Sequence, residues 1–250
     1  MDDDLLIEEE IEFNGKPLNT TWNALSHLDY VIGETPISTE IFQPLNQNSF
    51  FLLKNNIGLR TIEINITFYG DTLYQAKLAR SGFNLEVFDG CEIFIPDDGF
   101  YYSAILMKTG AEELVGIGNN SAAIKSKYVF QGFRHTPKVT LGPYSETETI
   151  RIPCGSTIPK TCVKITATTH NSSSIIMDTA KLNNLPSGNN VCIVDGIEKK
   201  VTVNGQNWMS KTDIKRWPTL RNGINSPIIY TASSGSPATD ITFEFVPTFL

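Results

Sequence analysis

The side chains here that could do chemistry are three histidines, four cysteines, an Asp-Asp pair and one asparagine–tryptophan pair. Zinc normally takes four converging nitrogen or sulfur ligands. His27, His135 and His170 are far apart, and none sits three or four residues from another ligand on a credible helix. Cys91, Cys154, Cys162 and Cys192 show no CxxC spacing and are expected to be reduced, mostly buried thiols. The stretch PDDGF (96–100) could be offered as a calcium loop, but two adjacent aspartates before a glycine are what a hairpin tip wants. GIGNNS (116–121) lacks the third glycine and the βαβ setting of a dinucleotide loop. No GxSxG elbow, HExxH pair or phosphate loop occurs. The chain is expected to be no enzyme and to need no cofactor or metal. A wall hydrolase would need paired carboxylates in one cleft, which no motif marks.

The stretch VDGIEKKVTVNGQNW (194–208) is the remaining chemical candidate. Asn204 could offer an amide and Trp208 a stacking face to a sugar ring, although a tryptophan in a small sandwich more readily belongs to its core. Phe100, Tyr101 and Tyr102 sit together on one strand arm. Alternation there sends Phe100 and Tyr102 inward and leaves Tyr101 outward, where a tyrosine can anchor an interface.

These residues must be held by sheet. Asn14-Gly15, Asp89-Gly90, Asp98-Gly99, Asp195-Gly196, Asn204-Gly205 and Asn222-Gly223 are two-residue turn signals. Between them run period-two segments. TIEINITF puts Ile62, Ile64, Ile66 and Phe68 on one face, CVKITATT does so for Val163, Ile165 and Ala167, and ITFEF for Ile241, Phe243 and Phe245. One stretch, GDTLYQAKLARSGF (70–83), predicts a helix capped by Asp71 and stopped at Gly82, with Leu73, Ala76 and Arg80 near one stripe. A hairpin follows, with arms at 92–95 and 100–107. Residues 134–149 hold two prolines and little periodicity, so a boundary is expected near 145. The expected architecture is mainly β: residues 1–145 as an antiparallel β domain with one packed helix and a projecting hairpin, then residues 146–250 as a β-sandwich.

Charge narrows the partners. The net formal charge is -7, and the first twelve residues, MDDDLLIEEEIE, hold seven carboxylates and no base. The remaining 20 acids balance 20 bases, so no basic patch announces sequence-specific nucleic-acid binding. That acidic start lacks a secretory pattern, and no run approaches the roughly 20 apolar residues of a membrane helix, so a product made in the cytoplasm is expected, with no membrane partner.

Taken in order, the motifs resemble the distal tail proteins (Dit) of long-tailed phages that infect Gram-positive bacteria. FNGKPL resembles the family's opening hairpin, GLRTIEINITFYGDTLYQAKLA its strand-to-helix segment, and CEIFIPDDGFYYSAILM its acid-tipped hairpin with paired tyrosines. VDGIEKKVTVNGQNW and TDIKRWPTLRNGIN resemble its carboxy-terminal sandwich. The acidic leader and residues 19–56 depart from the family's pattern. The resemblance implies a hexameric ring at the tail tip, passing DNA, between the tail tube protein and a tail-associated hub protein. It also implies a galectin-like carboxy-terminal domain that docks receptor-binding or baseplate proteins, and hence a place in the virion. The hairpin at 92–107, through Ile93, Phe94, Tyr101 and Tyr102, is the expected subunit contact, as a sheet edge can continue a neighbour's sheet. The alternative is a carbohydrate-binding adhesin using Asn204 and Trp208. The chain lacks the H-x-N-x-R strand that completes a galectin sugar site, since His170 begins HNSSS.

Overall fold

The computed structural model describes residues 10–26, 29–42, 51–118, 121–232 and 235–250, with side chains at 10–26, 29–40, 57–116, 121–232 and 235–250. Most of the acidic leader, His27 and positions 119–120 lie outside the described residues. Contacts divide the chain into two compact units, the first running to His135 and including Leu250, and the second spanning Thr136–Phe249. The expected boundary near 145 falls ten residues later. The difference is the strand Val139–Tyr144, which pairs with Ser236–Phe245 and so belongs to the second unit.

In chain order the first unit contains β1 (Glu12–Phe13), β2 (Lys16–Pro17), α1 (Leu18–Trp22), β3 (Ala24–Leu25), β4 (Tyr30–Ile32), β5 (Ile37–Phe42), β6 (Phe51–Ile57), β7 (Arg60–Gly70), α2 (Leu73–Val87), β8 (Cys91–Ile95), β9 (Phe100–Thr109), β10 (Glu113–Gly118) and β11 (Ser121–His135). The main antiparallel sheet runs β2-β1-β8-β9-β11-β7-β3, with β4 also on β7 and β10 also on β11. β5 and β6 pair only with each other among the described strands. Turn chemistry sets the register. Asn14 and Gly15 both take positive φ (54° and 70°), which closes the two-residue hairpin between Phe13 and Lys16.

Period-two alternation sends Ile62, Ile64, Ile66 and Phe68 fully inward from β7. α2 lies across that face and contributes Ala76, Phe83 and Val87 to the core. Phe83 is the centre of the aromatic packing, with ring centroids 4.8 Å from Phe13, 5.0 Å from Tyr128, 5.3 Å from Trp22 and 5.7 Å from Phe68. Both predicted helix ends move. The cap is Thr72, whose side chain accepts from the Gln75 N–H while Gln75 accepts from the Thr72 N–H. Gly82 lies within the helix, because Phe83 and Val87 continue its buried stripe. The short α1, which periodicity does not mark, buries Leu18 and Trp22.

The second unit is a sandwich. One sheet contains Val139–Tyr144, Ser236–Phe245, Thr161–His170, Asn189–Asp195, Lys200–Val203 and Gln206–Asn207 in that order. The other contains Thr212–Ile214, Ala180–Asn183, Ser174–Met177 and Ile229–Thr231. Val163, Ile165, Ala167, Ile241, Phe243 and Phe245 face inward from the first and pack with Ile175, Met177, Ala180 and Leu182 from the second. In residues 134–149 the structure shows a feature that composition hides. The Glu146 carboxylate accepts hydrogen bonds from Thr231 N (3.1 Å), Thr231 Oγ1 (2.8 Å) and Ala238 N (2.7 Å), tying two strands together.

Candidate functional site

The hairpin β8–β9 sits inside the sheet. β1 pairs with β8 and β11 pairs with β9, and only the tip around Pro96 extends past those neighbours. The arms therefore have no free backbone edge to continue a neighbour's sheet, which corrects the physical basis expected for a subunit contact here. Two of the four expected contact residues are also out of reach. Ile93 and Tyr102 are fully buried in the core beneath α2. Phe94 and Tyr101 point to the other face, with ring centroids 4.7 Å apart, and Tyr101 stacks on His135 at 5.9 Å. Phe100 goes partly inward, under the Arg134 guanidinium at 4.5 Å.

The Asp-Asp tip holds tyrosines. The Tyr102 hydroxyl donates to Asp98, and the Tyr30 hydroxyl donates to Asp97 at 3.3 Å. Burial first, then the Asp98 hydrogen bond, raises the Tyr102 phenol well above its ordinary range.

Two of the thiols are held away from nucleophilic work. Burial pushes the Cys91 thiol up to about 12 and the Cys192 thiol up to about 11, the opposite of activation. All four cysteines are free. His135 is buried, with Nε2 3.0 Å from Ser103 Oγ, and His170 sits between Asn189 and Asn171. Among the described residues no cluster of His, Cys, Asp and Glu could hold a metal. Gly116 and Gly118, the two glycines of GIGNNS, belong to β10.

In the second unit the two sugar candidates have structural partners. Asn204 takes φ 50° in the turn, accepts from Val191 N at 2.8 Å and donates to Asn190 Oδ1 at 3.0 Å. Trp208 is 7% exposed, donates Nε1–H to Asn183 O at 2.9 Å, and has Lys211 Nζ 3.8 Å from its ring centroid. Its face is therefore not open to a sugar, and the adhesin reading loses its stacking platform. A cavity of about 140 Å³ near Asp178, Arg216 and Arg221 has Asp178 as the one carboxylate among its described lining residues. Burial raises the Asp178 carboxyl, and Arg216 works against that rise. One acid does not make the pair a glycoside hydrolase uses.

What stands out is exposed apolar surface on the first unit. Tyr74, Leu78, Leu85 and Phe88 on α2 are 58–81% exposed, and Ile105, Met107 and Phe133 on the uncovered sheet face are 47–56% exposed. Surface of this kind marks contact sites rather than chemistry.

No protein-family model matches the chain, and no curated protein sequence does. Among solved structures, the phage SPP1 Dit protein, described as a paradigm of hub adsorption apparatus in Gram-positive-infecting phages, matches at TM-score 0.64 and 14% identity, over 96% of this chain and 99% of that one. Chains of the phage P2 baseplate in its activated conformation, with calcium and with strontium, match at TM-scores of 0.45 and 0.44 and 10% identity, over 88% of this chain and 91% of theirs. This mainly β chain with its packed helix is thus similar in fold, along nearly its whole length, to SPP1 Dit.

Proposed function

We propose that this protein is a structural hub of a phage tail tip. The observation that supports the reading is the fold likeness to SPP1 Dit over almost all of both chains, which joins two units in one order. Sequence motifs across both units point the same way. The first unit forms a hexameric ring between the tail tube protein and a tail-associated hub protein, and DNA passes through it. The second unit is a galectin-like sandwich that docks receptor-binding or baseplate proteins. It does so without a sugar site, since Trp208 and Asn204 hold the sandwich itself together. The protein acts by geometry and makes or breaks no bond.

The test is the mass of the purified chain. Six copies of the 27.7 kDa chain give about 166 kDa by light scattering, with ring-shaped particles in negative-stain micrographs. A monomer at every concentration reached, with no ring on mixing with tail tube protein, would remove the proposal.

A further inference from the structure

We infer that the outer face of α2 in one copy docks on the uncovered sheet face of the next, and that this head-to-tail contact is the one a ring repeats. The inference rests on the ring reading above and names its surfaces.

The first observation is a second apolar stripe on α2. Its inner stripe, Ala76, Phe83 and Val87, packs on the sheet. On the opposite side Tyr74, Leu78, Ser81, Leu85 and Phe88 follow one another at intervals of four, three, four and three residues, the spacing of a packing seam. Tyr74 is 74% exposed, Leu85 81% and Phe88 73%. A helix apolar on both sides is one built to be covered on both sides. At roughly 200 Å² for a fully exposed large side chain, Tyr74, Leu78, Leu85 and Phe88 offer roughly 500 Å². That is most of the about 800 Å² per partner that a stable interface buries.

The second observation is a receiving surface on the same unit. α2 covers one face of the main sheet. On the other face Ile105 stands opposite Gln131, and Phe133 opposite Ser103, beside an apolar dent of about 330 Å³ that Leu59 also lines. The lengths agree. The seam from Tyr74 to Phe88 is about 21 Å at 1.5 Å per residue, and the row from Tyr101 to Met107 is about 20 Å at 3.3 Å per residue.

The third observation decides the occupant. The two surfaces belong to one unit and face opposite ways, since one lies beyond the helix and the other beyond the far side of the sheet. A seam that met only its own like would pair two copies and leave the sheet face bare. A seam that meets the sheet face covers both surfaces on every copy, and such contacts repeat until rotation closes them. A second copy of this chain is therefore the partner that satisfies both.

The experiment is site-directed cross-linking in the full chain with the part-exposed Cys162, and Cys91, which lines the dent, both replaced by Ser. Leu85→Cys and Ile105→Cys are each made alone and then together. Both sites are more than half exposed and on opposite sides of the sheet, so folding is kept and no cross-link forms within one copy. With a short bis-maleimide the double variant is expected to give a covalent ladder up to six copies, and each single variant only monomer. Leu85→Glu should also weaken wild-type self-association at least tenfold, with unchanged circular dichroism. Dimers from Leu85→Cys alone would mean helix-to-helix pairing and overturn the inference. Absence of a ladder from protein of ring mass would overturn it and leave the ring reading standing. Absence of a ladder from protein that is monomeric throughout would remove both.

Discussion

Trp208 in the second unit and Phe88 in the first are large aromatic side chains beside helical turns, with opposite fates. Trp208 is 7% exposed, with its N–H and its ring face both partnered. Phe88 is 73% exposed at the end of α2. The contrast extends to the units around them. In the second, both sheets turn apolar faces to a shared core, and the central pair of the larger sheet presents polar side chains outward, Lys164, Thr166 and Thr168 opposite Glu244, Thr242 and Thr239. The first completes a core on one side of its sheet and leaves an apolar helix seam and an apolar sheet face. Monomeric proteins seldom leave contiguous apolar surface on this scale uncovered. The exposed apolar side chains of the second unit, such as Ile224, Ile228 and Tyr230, lie on and beside short strands, whereas those of the first unit follow one another along a single helix and across one sheet face.

The contrast can be broken by unfolding the units separately. Trp22 reports on the first unit, and Trp208 and Trp217 on the second. Phe83→Ala should destabilise the first unit by about 3–5 kcal/mol, as an aromatic cavity does, in urea melts followed by fluorescence of a variant retaining only Trp22. The Trp208 and Trp217 signal, read in a second Phe83→Ala variant with Trp22 replaced by Phe, should keep its midpoint, and a common shift would show that the units do not unfold apart. Glu146→Ala should do the reverse. It leaves Thr231 N and Ala238 N without their acceptor, so the second unit should lose about 2–3 kcal/mol by the same assay.

Smaller effects sharpen it. Asn204→Ala should cost about 1–2 kcal/mol, since alanine resists the left-handed φ and offers no acceptor to Val191 N. Asn204→Gly, which tolerates that φ, should cost less, and thermal melts give the order. Glu244 tests the wet face of the sandwich. Hydrogen bonds from Lys138 and then Lys164 hold its carboxyl below the ordinary glutamate value. A depressed carboxyl adds stability that is fully present above the unfolded value and is lost as pH falls through the folded one. Glu244→Gln should thus cost under about 1 kcal/mol at neutral pH and flatten the acid limb of a stability–pH curve below about 4.5. Finally, Gly82→Ala should stabilise the first unit by about 0.5–1 kcal/mol. The helix continues through it, and an added Cβ meets only Trp22, at 3.8 Å.

Period-two runs were legible because one-sided burial writes itself into alternate positions. That is why β7, Thr161–His170 and Ser236–Phe245 are read with their faces correct. The helix was legible and its ends were not. Asp71 and Thr72 are both good caps, and only the Gln75 side chain reaching back selects Thr72. Gly82 reads as a stop only until Phe83 and Val87 are seen to need the core. The hairpin shows a different limit. Alternation placed Tyr102 inward and Tyr101 outward, but it could not show that β1 and β11 occupy both arms. Glu146 was hidden because its partners lie 85 and 92 residues away. The seam on α2 could have been found by testing the helix for two apolar stripes instead of one.

Local chemistry alone thus determined the strands, the turns such as Asn14-Gly15, the existence of the helix and the lack of catalytic motifs, because each depends on neighbours within a few residues. Tertiary structure decided which strands gained a neighbour on both edges, which asparagine and tryptophan were used up in holding the fold, and which apolar stripe stayed outside. Those outcomes depend on partners far along the chain, and a side chain's burial is a property of what arrives to cover it.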